Sequence, residues 1–142
     1  MSTSAAGDPP LWFRITALVA LVWNAFGLVM FLSSVGAFGD PMDGLTDAER
    51  AFAENMPLWI TAAFGVGTFT GVAGSLGLLL RRRWAWPLLL VSAIALLLLE
   101  GWILFVSGAV ALFGMAIPIT VSVGALLLVW LARYAGQRGW LR

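Results

Sequence analysis

Residues Trp84–Leu131, WAWPLLLVSAIALLLLEGWILFVSGAVALFGMAIPITVSVGALLLVWL, decide the fold, because one charge, Glu100, is all that interrupts them. A helix crossing a hydrocarbon core of about 30 Å needs only about 20 apolar residues, so a run this long must double back within a membrane. The best turn is Val106-Ser107-Gly108-Ala109, which predicts spans of about 84–105 and 110–132. Helices joined by so short a link are expected to be antiparallel neighbours.

Two more spans precede this hairpin. One covers about 57–80, with Pro57 in its first turn, where a missing N–H costs nothing, and ends at Arg81-Arg82-Arg83. The other covers about 12–35, with Arg14 at its edge. Val35-Gly36-Ala37 has the small residues of a signal-peptide cleavage site. The apolar run before it is too long and too poorly flanked by basic residues, so an uncleaved span is expected. Residues 1–10 read as a mobile tail.

Between these two spans lies the one sizeable polar segment, 36–56 (GAFGDPMDGLTDAERAFAENM). Thr46 and Glu49 form a capping-box pattern that predicts a short helix over about 47–55. Ala48, Phe52 and Met56 fall along one side of it, so it is expected to be amphipathic. Pro118, inside the fourth span, predicts a kink there, with Thr120 and Ser122 placed to satisfy the freed carbonyl.

Composition agrees with the bilayer as solvent. The chain has 142 residues, 61% hydrophobic and 11% charged, with a mean hydropathy of +0.97. The fold class is therefore all-α, a single domain over 1–142 with four transmembrane helices. Charge sets the expected orientation. Arg14, Arg81, Arg82, Arg83, Arg133, Arg138 and Arg142 fall on one side, whereas Asp40, Asp43, Asp47, Glu49 and Glu54 face a lone Arg50 on the other. Both termini are expected in the cytoplasm and the 36–56 loop outside. Trp12, Trp84, Trp86 and Trp140 near the inner interface, and Trp59 near the outer, fit interfacial anchoring.

Several motifs together resemble a family of small bacterial four-span membrane proteins often labelled sugar transporters or hypothetical membrane proteins. They are Trp23-Asn24 with Gly27, the Thr46–Glu49 helix start before Pro57-Leu58-Trp59, Gly71, Gly74-Ser75-Leu76-Gly77, and Leu78 to Ala85 around the three arginines. Where that family carries an aspartate–tyrosine pair after its first span, Ser33-Ser34-Val35-Gly36 stands here. The resemblance implies the four-helix fold and names no substrate.

Chemistry has few places to reside. With no cysteine and no histidine, thiol catalysis, disulfides and thiolate or imidazole metal sites are excluded. No cofactor is expected, no glycine-rich phosphate loop is present, and no basic run reads as a nucleic-acid surface. Glu100 is the one acidic residue inside a span. It is either a proton- or cation-coupling carboxyl or an interfacial group held by Ser33, Ser34 or Thr61, and its off-centre depth favours the structural role. Asn24, beside Trp23 in mid-span, reads first as an interhelical hydrogen-bonding residue.

Ala63, Gly67, Gly71 and Ser75 form a small-residue stripe along span two, for packing within the bundle or for a homo-oligomer or larger membrane complex. Arg81, Arg82 and Arg83 set topology and can meet lipid headgroups. The sequence thus predicts a non-catalytic accessory or self-associating protein of the bacterial cytoplasmic membrane, with lipids as neighbours. The alternative is a small oligomeric proton-coupled transporter using Glu100. No general acid–base pair can be assembled inside the membrane, so an enzyme is the least expected outcome.

Overall fold

A computed structural model describes residues 7–142; residues 1–6 of the expected tail lie outside it. The chain is all-helical, with no strand among the described residues: α1 Leu11–Ser34, α2 Asp47–Glu54, α3 Leu58–Leu79, α4 Ala85–Phe105, α5 Val110–Phe113 and α6 Ala116–Gln137. Four of these, α1, α3, α4 and α6, are long and apolar enough to cross a membrane. They pack in the lateral order α1, α3, α4, α6. The central pair therefore carries most of the burial, and α1 and α6 flank it.

Glycines set how closely α3 approaches its neighbours. A Cβ on Gly67 would fall 2.7 Å from Leu96 Cδ2, and one on Gly74 would fall 2.6 Å from Leu89 Cγ. On the α1 side, a Cβ on Gly65 would fall 2.8 Å from the Phe31 ring. Bare backbone at these positions lets side chains of α1 and α4 seat directly on α3. Between membrane helices such van der Waals contact replaces the missing hydrophobic drive.

At one end, Phe13, Ala17, Leu78, Ala85, Leu89, Leu131, Ala132, Ala135 and Leu141 form an apolar cluster that joins all four long helices. The α3–α4 turn lies there. Arg82 N donates to Gly77 O at 2.8 Å and Arg81 N to Leu78 O at 3.0 Å, a Schellman cap on α3. Its left-handed position is held by Arg81 (φ 58°) rather than glycine. The segment after α6 folds back across this end. Arg142 N donates to Arg81 O at 2.6 Å and Arg83 N donates to Arg142 O at 3.0 Å. Trp140 meets Trp12, Phe13 and Tyr134 edge to face or tilted.

The opposite end is closed by α2. Its capping box is complete: Glu49 N donates to Thr46 Oγ1 at 3.3 Å and Thr46 N donates to Glu49 Oε2 at 2.9 Å. The bond from Thr46 N, with a second from Thr46 Oγ1 to the same oxygen at 2.7 Å, holds the Glu49 carboxyl below the usual carboxylate range. Phe52 then packs on Trp102 of α4 and Phe113 of α5, and Met56 joins a second apolar cluster with Ile60, Ala93, Leu96, Leu99 and Ala125.

The fourth long helix starts six residues later than the sequence pattern predicted, at Ala116 instead of about 110, and runs on to Gln137. Gly114 (φ 74°) ends the separate turn α5 in a left-handed conformation that suits glycine. Pro118 is the reason the restart falls where it does. As the third residue of α6 it needs no N–H partner, whereas continuous helix from 110 would drive its ring into the Gly114 carbonyl. The expected kink at Pro118 is therefore absent; it is a helix-start residue. Similarly, Pro57 is the N-cap of α3 rather than part of its first turn.

Candidate functional site

A polar seam links the interior faces of α1, α3 and α4. Asn24 Nδ2 donates to Ser75 Oγ on α3 at 3.2 Å and to Ala20 O of its own helix at 2.9 Å. Ser92 Oγ on α4 donates to Gly67 O on α3 at 2.7 Å. Gly71 lies between these two contacts, where a Cβ would be 2.9 Å from Ser92 Oγ. The small-residue stripe is thus divided between two neighbours: Gly67 faces α4, Ser75 faces α1, and Gly71 faces both. All three are buried, and Ala63, at the far end, is half-buried.

Beyond the shared apolar cluster, α1 and α6 part and leave a slot over α4. Its cavity is about 300 Å³, lined chiefly by Trp23, Asn24, Ser92, Thr120, Gly124 and Leu128. Trp23 forms part of its wall and remains 48% exposed, whereas its neighbour Asn24 is buried. Asn24 thus belongs to both the slot lining and the seam.

Glu100 is 5% exposed and lies about five residues from the end of α4. Its Oε2 is enclosed with no hydrogen-bond partner among the described residues. Ser33, Ser34 and Thr61 do not bond to it; Ser34 Oγ donates instead to Phe31 O at 2.7 Å. The side chain stands one turn from Leu96 of the second apolar cluster and one turn from Ile103, which packs against that cluster. A carboxyl in such surroundings costs several kcal/mol unless it is neutral, hydrated or paired.

The three arginines of the α3–α4 turn part ways. Arg81 turns inward, with Nη1 bonded to Asp8 at 2.8 Å and Nε donating to Trp140 O at 3.0 Å. Arg82 and Arg83 remain exposed, as headgroup contact requires.

Sequence reasoning passed over Ser92, Gly124 and the Asp8–Arg81–Trp140 link. A signal for Ser92 existed: it and Glu100 are the two hydrogen-bonding side chains between Pro87 and Gly101. Gly124 and Asp8 carried none, since their roles depend on which helices become neighbours. Among the described residues no group of three or more acidic side chains is placed to hold a metal ion. Compared with protein-family models, curated proteins and solved structures, the chain matches none.

Proposed function

We propose that this chain is a non-catalytic protein of the bacterial cytoplasmic membrane that works by association, as an accessory or assembly subunit or a self-associating bundle. The carrying observation is the locked seam. Asn24, Ser92 and Thr68 donate to helix carbonyls, and Asn24 also donates to Ser75, around glycines already in contact. An interior so closed favours a rigid scaffold over a moving path. In this reading the arginine-rich end lies in the cytoplasm and α2 lies outside, following the one-sided charge.

The surfaces left for association are the outward faces of the flanking helices. Leu18, Val22 and Val29 line α1 opposite the slot, and Ile119, Val123, Leu126 and Trp130 line α6. The chain has no cysteine, which makes a direct test simple. Val22→Cys, oxidised in native membranes, should give a cross-linked product larger than one chain. Only monomer, with every outward position tried on α1 and α6, would count against association.

A second reading, a small oligomeric proton-coupled transporter, rests on the enclosed Oε2 of Glu100, which has no hydrogen-bond partner among the described residues. Coupling carboxyls usually lie near the membrane midplane. Glu100 lies nearer the end closed by α2, which favours the scaffold.

A further inference from the structure

The outward face of α6 ends in a ladder of side chains at four-residue spacing, Trp130, Tyr134 and Arg138. The rings of Trp130 and Tyr134 stack with centroids 5.4 Å apart and planes 17° from parallel. Arg138 Cζ lies 5.1 Å from the centre of the Tyr134 ring, and Arg138 Nε donates to the Tyr134 hydroxyl at 3.0 Å. Stack and bond hold the guanidinium in place and leave both of its Nη groups to bind elsewhere. Tyr134 accepts that bond and keeps its own hydrogen to donate. Among the described residues neither the Nη groups nor the hydroxyl hydrogen meets an acceptor, and no carboxylate is in salt-bridge range of Arg138.

Neighbouring donors on a fixed positive charge suit an anion with several oxygens. Their level identifies its source. The 22 residues of α6 make about 33 Å of helix, which matches a hydrocarbon core of about 30 Å. Arg138 is the C-cap of that helix, so in a membrane its guanidinium stands at the edge of the core, where lipid phosphates lie. The same face continues inward through exposed Trp130, Leu127 and Leu126. A free anion leaves that stripe bare, whereas a phospholipid covers it with an acyl chain. Charge narrows the choice further. Seven arginines at this end stand against Asp8, which Arg81 already holds. A zwitterionic headgroup would bring its own ammonium into that field; an anionic one would not.

We propose that Arg138 and Tyr134 bind the phosphate of an anionic phospholipid, one acyl chain of which lies along Trp130 and Leu127. This goes beyond the association reading and does not depend on it. The lipid takes the arginine-rich half of the α6 face, and Ile119, Val123 and the face of α1 stay open to protein.

The test is native mass spectrometry of the full-length protein in detergent micelles carrying graded amounts of phosphatidylglycerol or phosphatidylcholine. One phosphatidylglycerol should be held about tenfold more tightly than phosphatidylcholine. Arg138→Gln should bring the two lipids to the same affinity, and Tyr134→Phe, which keeps the ring, should weaken phosphatidylglycerol about threefold. Arg133→Gln removes an exposed arginine outside the ladder and should change neither. If the glutamine variant of Arg138 fails to fold, Arg138→Lys keeps the charge, loses the planar fork and serves in its place. Equal affinity for both lipids in the native chain, undiminished preference in the Arg138 variant, or an equal loss in Arg133→Gln would each overturn the proposal. So would displacement of the lipid by millimolar inorganic phosphate, which would make this a site for the free anion. Release of a bound polypeptide by Arg138→Gln, with lipid retained, would assign the arginine to a protein contact instead.

Discussion

Asn24 and Glu100 stood out in the sequence for the same reason, a strong polar group in apolar surroundings, and the fold treats them differently. Asn24 is met by Ser75 and Ala20. Glu100 Oε2 is enclosed and has no hydrogen-bond partner among the described residues. That an apolar run tolerates a polar residue is legible from sequence; which partner meets it depends on helix order and rotation. On the scaffold reading, Glu100→Gln removes an expensive charge, keeps the shape and leaves the seam untouched. Its melting temperature in lipid should therefore equal or exceed that of the native chain. A stable Glu100→Gln protein that loses substrate-induced proton release shown by the native chain would instead favour coupled transport. Arg81 teaches a related lesson. A triple arginine reads as one topology signal, and only the turn geometry separates the inward Arg81 from the exposed Arg82 and Arg83.

At the scale of elements, the stripe on α3 was legible as a close-packing face because small residues at every fourth position let two helix backbones approach. Its division between α1 and α4 was not, since spacing along one helix says nothing of how many neighbours share a face. Gly71→Leu must displace both Asn24 and Ser92, so destabilisation of about 3 kcal/mol or more, or failure to fold, is expected. Unchanged thermal stability would mean that this face is not a tight contact. The late start of α6 escaped a reading based on hydropathy, because 110–115 are as apolar as the helix that follows; turn chemistry at Gly114 and Pro118 overrode it. For α2, capping chemistry is local and was fully legible. Hydrogen bonds from Thr46 lower the Glu49 carboxyl below its ordinary value. Its contribution is thus complete above the unfolded value of about 4.3 and is lost as pH falls through the lower folded one. Cα chemical shifts of residues 47–50 should stay helical at neutral pH and drift toward coil below about pH 4. Glu49→Gln, which keeps the capping box without a titrating group, should remove that drift.

For the whole molecule, number and length of spans follow from the bilayer's thickness, and the sequence carried both. Lateral order is another matter: the outer placement of α1 and α6, the slot between them and the closure of one end by Trp140 and Leu141 arise from tertiary packing of residues far apart in the chain. Together these features give a closely packed central pair flanked by two helices whose outward faces are left exposed. The central claim is that those faces meet other protein. It is tested most directly by transferring the chain from its native membrane into lipid nanodiscs without detergent and measuring the mass of the protein inside each disc. Particles heavier than the 15.2 kDa of one chain are expected, holding either further copies or a constant second polypeptide. A population made up of single chains alone, at native expression level, would contradict it.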